Sequence, residues 1–215
     1  MKKAFLCQIP YNLPKNYCKY EAMDSKKLQI DRAVRFPLVL LVEAYASPED
    51  EVRIVVTYNS DENLETIHAL RDDLRAVQEK IGFICDLDSP TDFRAVQVDF
   101  EFHINYQKRL FLKLLDQFDD IEKIYADITI GTKPTPIVIT RLLDYFQKTR
   151  PMFIGNIIYA NVPRMMEGKA ISSDEILEGK VYDITGLITL NNMIDLVVTA
   201  GAKHPDDLLR KLIEM

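Results

Sequence analysis

Around Gly131 the chain gathers side chains suited to binding an anion. Thr129, Gly131, Thr132 and Lys133 lie within one short turn, and together they supply two hydroxyls, a glycine amide and an ammonium group. The apolar run Tyr125-Ala126-Asp127-Ile128 leads into this turn, and Pro134 and Pro136 open an apolar stretch after it. The pattern is that of a buried strand that stops and passes into a helix. In an open α/β sheet, ligands bind in the crevice beyond the carboxyl ends of the strands, so a phosphate is the natural candidate. The turn is not a Walker A loop, which requires a second glycine leading a Lys-Ser/Thr pair. A structural reading stands beside the functional one: Gly131 only permits a positive φ, and Lys133 is a solvated charge. A cation at a helix start opposes the helix dipole, so a bound anion or a carboxylate such as Asp127 must offset it.

Two further segments carry candidate ligand groups. The loop after the first apolar run holds Gln8, Tyr11 and Asn12, which can hydrogen-bond or stack on a base; a proline-broken surface connection is the alternative. Asn59, Ser60 and Asp61 supply N-cap residues for a helix, and Asn59 would also line the crevice if its strand lies centrally. His68, His103 and His204 share no ligand spacing and no nucleophile partner. Asp99 and Glu101 flank Phe100, a weak indication of metal; no metal or cofactor is expected. The first strand runs into Pro10 without a glycine fingerprint, which argues against NAD or FAD.

Composition narrows the classes. The 215 residues carry a formal net charge of −6, so no broad basic face for duplex nucleic acid is expected. Cys7, Cys18 and Cys85 are too scattered for a metal site or disulfide framework and suit a reducing cytoplasm. The apolar start Ala4-Phe5-Leu6-Cys7 ends at Gln8, too soon for a signal peptide. No run reaches the roughly 20 apolar residues of a membrane helix, so a soluble, cytoplasmic protein is expected.

The elements that must position these groups follow from periodicity. Strands are expected at Lys3 to Ile9, Val52 to Tyr58, Phe93 to Phe100, Ile124 to Ile130 and Phe153 to Ala160. Helices are expected at about Glu62 to Ile81, Ile104 to Phe118 and Ile137 to Phe146. Phe36 to Ala46 is apolar on nearly every side and reads as a buried helix or a strand. Pro10 to about Tyr20 reads as a polar loop. Strands alternating with helices specify an α/β, Rossmann-like, mostly parallel sheet flanked by helices. Composition changes near Pro163, which divides the chain into a core at 1–163 and a C-terminal segment at 164–215. In the latter, Met165 to Gly179 reads as a polar loop or hairpin and Val181 to Thr185 restarts order. Helices close the chain at Leu187 to Ala200 and about Asp206 to Glu214, a small helical extension packed on the core or at a dimer interface.

The order of elements and three short motifs resemble the CARF domains (CRISPR-associated Rossmann fold) of type III CRISPR accessory proteins. The motifs are Lys2-Lys3-Ala4-Phe5-Leu6, Asp127-Ile128-Thr129-Ile130-Gly131-Thr132-Lys133-Pro134 and Val181-Tyr182-Asp183-Ile184-Thr185. The resemblance spans essentially the whole chain, and its central motif is the specific one. It implies a two-fold homodimer that binds a cyclic oligoadenylate, with cyclic tetra-adenylate foremost. It also implies that Gly131, Thr132 and Lys133 hold phosphate and ribose. Some members cut the ring themselves; that activity would place Lys133 and Thr132 in catalysis without metal, aided by Gln8 or Asn12. Others only sense the ring and control an effector. The first loop departs from the Gly/Ser/Thr-rich form common in the family. No Arg-x4–6-His ribonuclease motif accompanies a C-terminal histidine.

Overall fold

The computed structural model describes residues 1–60, 63–98, 103–162 and 175–214. The chain divides into two compact units, Met1–Asp183 and Ile184–Met215. The first contains β1 (Lys2–Gln8), β2 (Cys18–Ala22), a 3-10 turn (Lys26–Leu28), α1 (Pro37–Tyr45), β3 (Glu51–Tyr58) and α2 (Leu64–Ile81). It continues with β4 (Phe93–Gln97), α3 (Ile104–Leu115), β5 (Lys123–Asp127), α4 (Pro134–Thr149), β6 (Phe153–Asn161) and β7 (Leu177–Asp183). The second contains α5 (Gly186–Thr199) and α6 (Pro205–Ile213), which pack on each other.

One sheet of seven strands runs in the order β2-β7-β6-β5-β1-β3-β4. Neighbours from β6 to β4 are parallel, β7 is antiparallel to β6, and β2 is parallel to β7. The expected mostly parallel, Rossmann-like α/β sheet is therefore present. After β1 the chain visits β2 at the far edge beside β7, then crosses to β3 and β4 on one side of β1 and returns to its other side with β5 and β6. The boundary between β1 and β5 is thus the topological switch point, where the connecting loops part and open a crevice.

Strand alternation sorts the core into two layers. Phe5 and Cys7 of β1 join Ile54 and Val56 of β3 in one cluster with Leu38 to Val42 of α1 and Ile67, Leu70, Leu74 and Val77 of α2. Ala4, Leu6, Val55, Ile124 and Ala126, equally buried, point to the opposite face. There α3 packs on α4, and Phe118, just past the end of α3, meets the Phe146 ring of α4 edge-on at 5.5 Å. The ambiguous Phe36 to Ala46 segment is a helix: Pro37 sits at its first position, where a missing N–H costs nothing and the fixed φ favours the turn.

Several boundaries differ from the periodicity. β2 lies within the segment read as a polar loop; Cys18 and Tyr20 are buried while Lys19 is exposed. β7 belongs to the sheet, although its residues fall in the segment grouped with the C-terminal helices. β5 stops at Asp127 rather than Ile130, because the Asp127 carboxylate accepts the Thr129 amide at 2.9 Å and turns the chain out of the ladder. α4 starts at Pro134, one turn before the expected helix, again with proline at the first position. Asp61, Asp99, Phe100 and Glu101, and 165–174 of the expected polar loop, lie outside the described residues.

Among the described residues no helix is long and apolar enough to cross a membrane.

Candidate functional site at the β1–β5 switch point

The carboxyl ends of β1, β3 and β5 bring together three segments that are distant in sequence. Gln8 closes β1 and is 4% exposed. Its Nε2 donates to Asn59 Oδ1 at 3.2 Å, and Asn59 Nδ2 donates to the Val98 carbonyl at 3.4 Å. A carbonyl can only accept, so this chain of bonds fixes both amides. Gln8 Oε1 is left buried without a partner. It faces Gly131: a Cβ on Gly131 would stand 2.8 Å from Gln8 Oε1 and 3.2 Å from Thr135 Cβ. Gly131 also has φ of 139°. Its lack of a side chain therefore serves both backbone conformation and close approach to Gln8.

Asn63 holds the first loop against this end of the sheet. Its Oδ1 accepts the amides of Asn59 and Ser60, both at 3.0 Å. Its Nδ2 donates to the carbonyl of Tyr11 at 2.7 Å and more weakly to that of Pro10 at 3.4 Å. The expected capping of α2 by Asn59 and Ser60 is thus inverted: Asn63, the residue before the helix, ties those amides to the loop. Tyr11 and Asn12 are exposed beyond this clamp.

The residues of the central turn divide by role. The Thr129 hydroxyl accepts the Ala160 amide at 2.8 Å and donates to the Asp127 carboxylate, so it joins the end of β5 to β6. Asp127 is 2% exposed. Burial pushes its carboxyl up to about 6, against hydrogen bonds from the Thr129 hydroxyl and amide and the Leu38 amide at the start of α1. The Thr132 and Thr135 hydroxyls share a bond at 2.9 Å. Lys133 is the N-cap of α4 and is exposed, with no side-chain partner among the described residues. Asp127 faces inward and does not offset it.

The start of α4 is a poorer anion cradle than a helix N-terminus usually is. Pro134 and Pro136 have no N–H, and the Thr135 amide already bonds the Thr132 carbonyl at 2.9 Å. What remains for an anion is the Lys133 ammonium, the helix dipole and the exposed backbone at Gly131.

The structure therefore brings Gln8, Asn59, Gly131 and Thr135 into one constellation, with Thr132 bonded to Thr135 and Lys133 next in the chain. Asn63 and Thr135 were not among the residues singled out in the sequence; their signal is spacing, Asn59-x3-Asn63 and Thr132-x2-Thr135. His68 is exposed on α2, and His103 and His204 precede α3 and α6. Among the described residues no group of three His, Cys, Asp or Glu is placed to hold a metal.

Comparison with known proteins adds no family: neither a protein-family model nor a curated protein sequence matches the chain.

Proposed function

We propose that the switch-point crevice binds a cyclic oligoadenylate, with cyclic tetra-adenylate foremost, as the resemblance to CARF domains implies. The observation that carries this reading is the buried, unpartnered Gln8 carbonyl set against Gly131 at the start of the Thr132–Lys133 turn. A buried acceptor without a partner costs about 1–3 kcal/mol, and a ligand donor that reaches it as the Gly131 turn shifts aside removes that cost. An anion alone cannot do so. A ribose phosphate offers both groups close together: a 2′-hydroxyl for Gln8 Oε1 and a phosphate for Lys133. Tyr11, 51% exposed, presents its ring to solvent where a base could stack on it. In this reading Asn59 acts through Gln8, Thr129 shapes the turn, and Asn12 flanks the ligand.

A two-fold homodimer completes the reading, since a C2 pair presents two copies of each strand-end turn to a symmetric ring. In the second unit α5 exposes Leu187, Ile194 and Val198 along one stripe, the contact face we assign to it.

Ring cleavage by the same groups needs no metal. The ribose 2′-oxygen would attack the adjacent phosphorus and the P–O5′ bond would break. The 2′-hydroxyl proton would pass to water, and the 5′-oxygen would take one up. The product is a linear chain ending in a 2′,3′-cyclic phosphate. Gln8 would orient the hydroxyl, Lys133 would stabilise charge on the phosphorane, and Thr132 would hold an oxygen. One observation favours a purely sensory module instead: Asp127, the carboxylate that closes β5, is buried and turned inward.

Incubation with cyclic tri-, tetra- and hexa-adenylate in EDTA, read by chromatography and mass, separates the readings. Linear fragments with 2′,3′-cyclic phosphates establish a ring nuclease. A ring that binds and stays whole establishes the sensor. Absence of binding to every ring removes the proposal.

A further inference from the structure

Helices α3 and α4 leave an apolar groove on the outer surface of the first unit. Ile104, Phe111 and Leu112 of α3 and Ile137 and Val138 of α4 line it, around a volume of about 400 Å³. Val138 and Phe111 form the floor. Ile104, Leu112 and Ile137 form the walls and are 59%, 57% and 63% exposed. Isolated exposed apolar side chains are ordinary, whereas a contiguous concave strip marks a binding surface. Two parallel ridges with a trough between them match the shape of a helix.

The charges beside the strip indicate the occupant. Lys108 on α3 and Arg141 on α4 line the same groove; among the described residues no carboxylate does, and neither cation has a partner. Both are exposed, in a chain whose net charge is −6. A second copy docking by two-fold symmetry would bring the same two cations toward each other, and like charges across an interface are costly.

We propose that this groove is the docking site for an amphipathic helix of another protein, apolar on one face and acidic beside it. Leucine-like side chains at i, i+3 or i+4, and i+7 would fill the trough between Ile104, Leu112 and Ile137. Glutamates flanking them would pair with Lys108 and Arg141. The first turns of α4 contribute Ile137, one helical turn after Lys133, so the groove begins next to the candidate crevice without depending on what the crevice binds.

The test uses two labelled model peptides, read by fluorescence anisotropy with the full chain. One is a helix of leucines at those spacings flanked by glutamates; the other replaces each glutamate with lysine. The acidic peptide is expected to bind at least tenfold more tightly. The double variant Lys108→Glu/Arg141→Glu, its fold checked by circular dichroism, is expected to reverse that preference. Ile137→Ser is expected to weaken both peptides. Equal binding of the two peptides, or binding of neither, overturns the proposal. So does sedimentation of the unliganded protein as a dimer that Ile137→Glu dissociates, which assigns the groove to a second copy.

Discussion

Lys133 and Gln8 are both left incomplete, in opposite senses. One is a cation at the positive end of a helix, the other a buried acceptor without a donor. A ligand answering both carries an anion and a hydroxyl in close proximity. Lys133→Ala removes a charge-assisted bond of about 1.5–3 kcal/mol, so affinity for cyclic tetra-adenylate, measured by calorimetry, is expected to fall by ten- to a hundredfold. Gln8→Met keeps the volume and deletes the acceptor. It is expected to weaken the ring but to bind a 2′-deoxy analogue no worse than the parent does. Asp127 has a different signature. Its carboxyl titrates near 6 when folded and near 3.8 in its ordinary state, so the folded protein holds the proton more tightly. Stability from this group is gained as pH falls from about 6 toward 4, and above 6 the buried charge is a standing cost of about 3 kcal/mol at most. Asp127→Asn is expected to raise the melting temperature at pH 8 and to leave it nearly unchanged at pH 4. An equal change at both values would show that the carboxylate is not strained by burial.

At the scale of elements, legibility followed the strength of the local pattern. β3 reads directly from Val52 to Tyr58 because it is buried and β-branched, and α2 from its spaced leucines. β2 has only Cys18 and Tyr20 as buried positions in a polar, proline-broken stretch, so its strand character comes from β7 and not from its own residues. The end of β5 depended on one side chain, Asp127, bonding its own backbone. The candidate turn itself was legible, since Gly131, Thr132 and Lys133 stand together in sequence. The clamp by Asn63 was not, because it joins Tyr11 to Asn59 across a gap that only the β1–β3 pairing closes. Asn63→Ala leaves two amides and the Tyr11 carbonyl without their partner. At about 1 kcal/mol or more per buried group, it is expected to lower the melting temperature by several degrees and raise proteolysis within residues 9–17. An unchanged protease pattern would show that the loop holds itself. Gly131→Ala faces both an unfavourable φ and the Gln8 contact. It is expected to abolish ring binding, while circular dichroism shows the sheet retained.

For the molecule as a whole, the proposed two-fold pairing has a distinct test. Val198, at the exposed end of the α5 stripe, is 73% exposed. Val198→Glu is expected to convert a dimer to a monomer in sedimentation and to reduce ring affinity with it. A wild-type chain that sediments as a monomer at high concentration, with the ring present, would remove the pairing.

The sheet also carries a constraint on the order of assembly. β2 is made early but has its partner in β7, near the end of the first unit: Asn16 and Glu175, which meet beside that pairing, are 159 residues apart. β1, β3 and β4 can find one another while the rest of the chain is still emerging. β2 meets early only the local bridge from Cys18 to Val34, and its ladder and the Gly179 cover over Cys18 and Tyr20 wait for Leu177 to Val181. A ribosome-tethered series of increasing length would therefore acquire protease resistance in two steps, the central strands first and the β2 segment last. Such late closure, dominated by contacts distant in sequence, is the slow kind, and during it the early segment is the part of the chain most exposed to mispairing.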